Sequence, residues 1–136
     1  QGIADAAEVF GVGIFGMVNT FHEKVYKERG VKFIAEFYSD LEYDETGYLV
    51  IAKGRNKHYP ADLAVERCMR AIKENKVKTI NDTDVDVGCE TICVHSDTPN
   101  AIEILKALRK NISKNDIKEP SSKKPDNKMP YIISDK

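Results

Sequence analysis

A buried strand, a capped helix and a second buried strand follow one another near the start of the chain, and this succession constrains the fold most. Residues 12–18 form an apolar run that contains glycine. Thr20 and Glu23 then have capping-box spacing, in which each side chain accepts a hydrogen bond from a backbone N–H at a helix start. Gly30 suits the left-handed position after that helix, and residues 31–38 are again apolar, as in a strand buried on both faces. Because such alternation favours parallel strands with right-handed crossovers, the sequence predicts an α/β fold.

The rest of the chain predicts two hairpins, one further strand and two amphipathic helices. Residues 44–47 form a turn that leads into the short run 48–52, and residues 81–84 join the runs 77–80 and 85–87. Residues 91–94 are predicted to be a buried strand. In the helix after Pro60 we assign to the apolar face Val65, Cys68, Met69 and Ile72. We assign to its opposite, polar face Arg67, Arg70 and Lys73. In the last helix the predicted apolar side chains are Ile102, Leu105, Leu108 and Ile112, and Pro99 is placed in the first turn.

The length of 136 residues suits one modest core, and the composition changes near the carboxyl end. We predict a single domain over residues 1–112 and a disordered polar tail over residues 113–136, which are rich in lysine, proline and serine. The stretch 53–59 is predicted to be a polar loop. The chain opens at Gln1 and enters a helix-like stretch at residues 3–10, so we interpret the sequence as a fragment whose natural start lies upstream.

Charge and cysteine content exclude some classes of protein. The 21 basic and 22 acidic residues leave a formal net charge of −1, which provides no broad positive field for nucleic acid or anionic lipid. The three cysteines form an odd set without CxxC spacing, which favours reduced thiols. No apolar run approaches the length of a spanning helix. We therefore expect a soluble cytoplasmic protein with neither nucleic acid nor membrane as a partner.

A glycine run near the start allows one alternative function. Gly11, Gly13 and Gly16 match the dinucleotide fingerprint GxGxxG, and Glu36 follows about twenty residues later, where a ribose-binding acid would lie. A nicotinamide-dinucleotide-binding segment from Gly11 to Gly16 would need a strand that ends at Gly11. The preceding residues favour a helix, so we prefer to interpret the glycines as close-packing positions in a strand.

Polar groups cluster where the strand at residues 91–94 leads into the last helix. Cys93 and His95 lie two apart, hence on one face, but two ligands alone make a poor metal site, so no metal is predicted. In α/β proteins ligands gather at the carboxyl ends of parallel strands, so His95 and Asp97 can reach a substrate there. Asp97 could equally cap the helix, and the sequence leaves both roles open.

Several segments, in one order, resemble the LamB/YcsF family. These are AEFYSDLEY at residues 35–43, GYLV at residues 47–50 and TICVHSDTP at residues 91–99, with the hairpin KVKTINDTDV at residues 76–85 between them. The resemblance extends from about Gly2 to Ile112. It implies that residues 1–112 are the carboxyl-terminal part of a distorted (β/α) barrel related to polysaccharide deacetylases.

The resemblance also implies a function, that of the A component of ATP-dependent 5-oxoprolinase. This enzyme opens the cyclic amide of 5-oxo-L-proline to give L-glutamate, with ATP and with B-type and C-type partner subunits. The resemblance leaves Glu36, Asp40, His95 and Asp97 as candidate catalytic residues that line and orient a substrate. Leu41 and Ser96 depart from the family pattern, which tends to have arginine and glycine there, and the 53–59 segment lacks the family's Pro-Gly-Ala loop. The family's amino-terminal half, with its acidic and histidine-rich motifs, is also missing, so we expect the chain to be inactive without that half, and a non-catalytic partner-binding module is the alternative.

Overall fold

Four helices and seven short strands form the part of the chain that the computed structural model describes, residues 1–51 and 57–117. In chain order they are α1 (Gly2–Phe10), β1 (Ile14–Gly16), α2 (Phe21–Glu28), β2 (Phe33–Tyr38), β3 (Glu42–Tyr43), β4 (Leu49–Val50), α3 (Ala61–Glu74), β5 (Lys76–Lys78), β6 (Asp84–Asp86), β7 (Thr91–Cys93) and α4 (Ala101–Lys114). None of the helices in these two ranges is long and apolar enough to cross a membrane.

A three-stranded parallel sheet with the order β1-β2-β7 forms the centre of the fold. β1 pairs with β2, so that Phe15 lies beside Ile34, and β2 pairs with β7, so that Tyr38 lies beside Cys93. The predicted α/β class with parallel strands is therefore confirmed. The carboxyl ends of β2 and β7 meet at one edge of the sheet, where polar residues follow both strands.

The two faces of this sheet have different environments. Ala35 and Phe37 are buried, and Phe37 packs in one apolar cluster with residues of α3 and α4. Residues paired in register share a face, so the opposite face carries Phe15, Glu36 and Tyr38. Phe15 is exposed there. Glu36 and Tyr38 are only half-buried, so the prediction that residues 31–38 are buried on both faces was wrong, because the main apolar cluster packs on the Phe37 face.

The first helices begin and end where local sequence signals place them. The Oγ1 of Thr20 accepts a hydrogen bond from the N–H of Glu23, and Glu23 accepts one from the N–H of Asn19. Both bonds satisfy donors that the start of α2 leaves free. Gly30 follows the helix with a φ of 71°, and Gly11 ends α1 with a φ of 61°. Both angles lie in the left-handed region, which glycine enters without a steric penalty.

Both predicted hairpins are present, as the antiparallel pairs β3-β4 and β5-β6. The turn between β3 and β4 is held by Asp44, whose Oδ1 accepts hydrogen bonds from the backbone N–H groups of Thr46 and Tyr48. The second hairpin packs against the body of the fold, since Val77 of β5 is fully buried in the main apolar cluster.

The helices α3 and α4 bury Cys68 and Leu108 as predicted, but they also bury side chains that were assigned elsewhere. Arg67 of α3 is only 6% exposed, although the hydrophobic pattern placed it on the polar face. In α4, Ile104 and Leu108 are buried, whereas Ile102 and Leu105 are exposed. Ile104 lies about 200° around the helix from Ile102 at 3.6 residues per turn. A side chain that pairs its charge can enter the core, and in α4 packing buried the side that carries Ile104 and Leu108.

The predicted tail begins with ordered residues. α4 continues through Lys114, two residues past the predicted domain end at Ile112. Residues 118–136, the larger part of the predicted tail, lie outside the described residues, as do residues 53–56 of the predicted polar loop and Ala52 at the end of the preceding run.

Candidate active site at the carboxyl ends of two parallel strands

Asp40 and His95 lie side by side although 55 positions separate them in the chain. Asp40 follows β2 and His95 follows β7, and these strands are parallel neighbours. The strand pairing continues one residue further, because Ser39 donates its backbone N–H and its Oγ–H to the carbonyl oxygen of Cys93. The sheet thus brings together two of the candidate residues predicted from sequence.

The carboxylate of Asp40 is fully buried and accepts three hydrogen bonds. Its Oδ1 lies 2.6 Å from Nδ1 of His95. Its Oδ2 accepts the backbone N–H of His95 at 3.1 Å and the hydroxyl of Thr98 at 2.6 Å. Burial by itself raises the pKa of Asp40, but the hydrogen bonds from Thr98 and His95 together outweigh it and lower the pKa. Asp40 is therefore ionised, and Nδ1 of His95 carries the proton that it donates.

This contact determines which nitrogen of His95 is available for chemistry. With Nδ1 protonated, Nε2 of the neutral ring is the acceptor, and it lies 3.9 Å from Sγ of Cys93. The ring stacks on Tyr38 at a centroid distance of 5.9 Å, and the side chain is 21% exposed. An imidazole oriented by a buried carboxylate can accept a proton at Nε2, and the carboxylate stabilises the resulting charge.

Glu36 lies on the same face of the sheet but has a different partner. Its Oε2 accepts the phenol O–H of Tyr38 at 2.8 Å. Burial is the main cause that raises the pKa of Tyr38 to about 12, and the bond to Glu36 is the second cause. The phenol therefore stays neutral. Tyr38 also borders a cavity of about 440 Å³ together with Phe15, Phe21 and other residues of β1 and α2. Glu36 thus positions Tyr38, which lies between His95 and this cavity.

Asp97, the fourth candidate, lies in the turn after His95 and is exposed. Asn100, not Asp97, occupies the N-cap position of α4. Of the two roles left open for Asp97, that of N-cap residue of α4 is therefore taken by Asn100, and Pro99 precedes the cap instead of standing in the first turn. The cause is an extra turn of chain, in which the N–H of Ala101 bonds to the carbonyl oxygen of Thr98.

The hydrogen-bonding roles of two residues, Thr98 and Arg67, were not predicted from the sequence. Thr98 lies in the segment TICVHSDTP at residues 91–99. Its hydroxyl, three positions after His95, was the only sequence signal for its bond to Asp40. Arg67 had no such signal. Its guanidinium reaches from α3 to the carbonyl oxygen of Leu41, and it donates to Glu42 at 2.5 Å and to the hydroxyl of Tyr59 at 2.7 Å.

The glycine run does not have the geometry of a dinucleotide site. Gly11 ends a helix and β1 begins three residues later, which is the reverse of the strand, turn and helix order that the fingerprint requires. The dinucleotide alternative was wrong for this reason. Within residues 1–51 and 57–117, no group of three or more His, Cys, Asp or Glu side chains is placed to hold a metal ion.

Known proteins resemble this chain in sequence over most of its length. The sequence model of the LamB/YcsF family matches residues 1–126. The A component of 5-oxoprolinase from Campylobacter jejuni subsp. doylei is 35% identical over 104 residues, which are 75% of this chain and 40% of that protein. The lactam utilization protein lamB of Emericella nidulans is 38% identical over 108 residues, 74% of this chain and 41% of that protein.

A solved structure shares the fold. The lactam utilization protein from Thermus thermophilus superimposes with a TM-score of 0.72 at 25% identity, over 84% of this chain and 46% of that one. The chain spans about two fifths of the length of the curated relatives named here. Since the family model covers more than nine tenths of its residues, the chain belongs to the LamB/YcsF family.

Proposed function

We propose that this chain is the carboxyl-terminal part of a 5-oxoprolinase A-type protein, in which the Asp40–His95 pair serves the opening of a cyclic amide. The pair is the observation that carries the proposal. It combines a buried, ionised carboxylate with a partly exposed imidazole whose Nε2 is not engaged by that carboxylate, at the sheet edge where α/β enzymes bind substrates. Relatives named for 5-oxoprolinase and for lactam utilization support the substrate class.

His95 is the proposed base in this reaction. Hydrolysis of a cyclic amide needs a group that removes a proton from the attacking water, and Nε2 can accept it while Asp40 stabilises the imidazolium. Thr98 and Tyr38 hold the pair in place by hydrogen bonding and ring stacking. The adjoining cavity of about 440 Å³ lies within the volume range of small-molecule sites, and its aromatic lining suits a five-membered ring. Asp97 and Glu36 are proposed as polar lining.

We also propose that the three parallel strands belong to a (β/α) barrel related to polysaccharide deacetylases. A barrel of this kind has helices outside its parallel strands and its site at their carboxyl ends, and this sheet has helices on the Phe37 face and Asp40 and His95 just after β2 and β7. The longer relatives have the additional length that closure of a barrel requires.

ATP and the partner subunits belong to the proposal as well. The charged groups at the pair are the carboxylates of Asp40 and Glu36, and the buried guanidinium of Arg67 is already bonded to Glu42 and Leu41. These described residues do not fit a triphosphate, so we assign ATP binding to other parts of the assembled protein. The designation of the bacterial relatives as one lettered component indicates a multi-subunit enzyme, and we propose B- and C-type subunits as partners in the cytoplasm. The chain alone would then be inactive.

A test needs the missing length of the protein. The chain would be joined to the upstream region found in its relatives and expressed with B- and C-type subunits, and release of L-glutamate from 5-oxo-L-proline would be measured with and without ATP. His95→Gln should lower kcat on the order of 100-fold or more, because it removes the base. The matched control is His58→Gln, at an exposed position that is not among the hydrogen-bond partners of Asp40 and His95, which should keep wild-type activity.

Two outcomes would contradict the proposal. One is the absence of ATP-dependent glutamate release from the assembled wild-type protein. In that case, capture of the B- and C-type subunits without turnover would favour a non-catalytic partner-binding module, which the departure at Leu41 also motivates. The other is wild-type activity in the His95→Gln protein, which would remove the pair from the mechanism.

A further inference from the structure

Cys93 completes a line of three side chains that begins at Asp40. The carboxylate of Asp40 lies 2.6 Å from Nδ1 of His95, and Nε2 of the same ring lies 3.9 Å from Sγ of Cys93. Cys93 and His95 are two residues apart, so the extended chain directs both side chains to one face of the sheet. A nucleophile beside a base that a third group orients is the general arrangement of covalent catalysis, recognised by geometry and not by chain order.

We propose that Cys93 is a nucleophilic thiol that accepts acyl groups from activated carbonyl compounds, with His95 as its base and Asp40 as the positioning residue. This activity goes beyond the proposed hydrolysis of a cyclic amide and does not rest on it. It requires only three side chains that the chain itself supplies. Cys93 is half-buried, and the imidazole beside it is partly exposed, so a small acyl donor can approach from the open face.

The chemistry balances with these groups alone. The proton of the Cys93 thiol moves to Nε2 of His95, and the sulfur attacks the carbonyl carbon of the acyl donor to form a C–S bond. The bond between that carbon and the leaving group breaks, and the leaving group departs with the electron pair and takes the proton from His95. Water can later hydrolyse the thioester, which releases a carboxylic acid and restores the thiol. No oxidant or reductant takes part.

Neighbouring charges decide whether a thiolate can form at this position. Asp40 and Glu36 are acidic groups on the same side of the sheet, and they oppose a second negative charge. Tyr38, which stacks on His95, stays neutral at pH 7, because burial mainly, and also its bond to Glu36, raises its pKa to about 12. The imidazolium of His95 is the cation that offsets this repulsion, and the hydrogen bond that its Nδ1–H donates to Asp40 stabilises it.

The other two thiols provide internal references. Burial raises the pKa of Cys89 to about 11 and raises the pKa of Cys68 further. Cys68 is completely buried, so its labelling would report loss of the folded structure. The sulfur of Cys89 lies 4.0 Å from the carbonyl oxygen of Thr91, whereas the sulfur of Cys93 lies beside the imidazole of His95. A difference in reactivity between Cys93 and Cys89 would therefore reflect the histidine.

The experiment uses the 136-residue chain and p-nitrophenyl acetate as the acyl donor. Acid quenching and peptide mass mapping would measure the rate of S-acetylation at each cysteine between about pH 5.5 and pH 9, a range that brackets the ordinary and the lowered thiol pKa. Thiols paired with a histidine have pKa values well below the ordinary value of about 8.5. We expect the rate of Cys93 acetylation in the wild type to level off below about pH 8. At about pH 6.5 this rate should be roughly tenfold higher than in His95→Asn, because the larger fraction of thiolate outweighs the lower nucleophilicity of a thiolate with a lowered pKa. The control Cys89→Ser should leave the rate at Cys93 unchanged.

His95→Asn retains an amide that can donate to Asp40 and removes the base nitrogen, so an unlabelled Cys68 would show that the variant is folded. An equal rate at Cys93 in the wild type and a folded His95→Asn would overturn the inference. If Cys68 is labelled in the variant, the variant is not folded, and the pH dependence of Cys93 acetylation in the wild type then tests the inference. A rate that keeps rising to about pH 9, as for an ordinary thiol, or no label at Cys93, would also overturn it.

Discussion

Replacement of Arg67 by methionine tests whether the buried guanidinium network stabilises the fold. Arg67 donates to the carboxylate of Glu42, the hydroxyl of Tyr59 and the carbonyl oxygen of Leu41. Its guanidinium also lies against the rings of Tyr43 and Tyr59, at 5.7 and 5.8 Å from their centroids. The network joins α3 to β3 and to the chain segment before α3. Methionine keeps much of the apolar stem and removes the charge and all three donors.

The expected cost follows from the bonds lost and from the exposure of the partners. A hydrogen bond to a charged group contributes about 1.5–3 kcal/mol when one partner is removed. Water can reach Glu42, whose side chain is 39% exposed, and methionine also removes the buried Nε of Arg67, for which the described residues provide no acceptor. We therefore expect a loss of about 2–4 kcal/mol in the free energy of unfolding, below the simple sum of three such bonds.

Equilibrium unfolding in urea, followed by circular dichroism, measures this loss. Arg70→Met is the matched control, since Arg70 is on the same helix and pairs with Asp84 at 2.6 Å but at the surface, where ion pairs contribute little. The midpoint should fall for Arg67→Met with an unchanged m-value, and should stay close to the wild type for Arg70→Met. Equal midpoints for the two variants would refute the argument that burial makes the Arg67 network stabilising.

Two further changes test the site and the sheet. The folded state lowers the pKa of Asp40, so its contribution to stability is complete above the unfolded value of about 3.9 and is lost as the pH falls through the folded value. Urea midpoints at about pH 7 and pH 3 should therefore differ less in Asp40→Asn than in the wild type, and an identical acid loss in both would contradict this sign. Gly88→Ala would place a Cβ 2.5 Å from Cγ1 of Val18 and 2.6 Å from Cβ of Ala35. Overpacking of this kind costs about 1–3 kcal/mol, whereas a Cβ at Gly2 meets nothing within 4 Å, so thermal unfolding should show a lower Tm for Gly88→Ala than for Gly2→Ala.

Local features of the fold follow from the sequence because short-range chemistry determines them. Thr20 caps α2, Gly30 ends it, and Asp44 holds the first hairpin turn through bonds within four residues. The alternation of strands and helices was sufficient to predict parallel pairing. The segments at residues 35–43 and 91–99 were sufficient to identify the family.

The tertiary structure alone decided which predicted surfaces meet. Periodicity shows which residues share a face of a helix, but packing decides which stripe is buried, and so Ile104 replaced Ile102 in the core. Arg67 could be buried only because Glu42 and Leu41 lie opposite it. Asp40 and His95 were both candidates from their positions after strands. Their contact, and the contact of Cys93 with the same imidazole, depend on the pairing of β2 with β7, which no local signal specifies because it joins residues 55 positions apart.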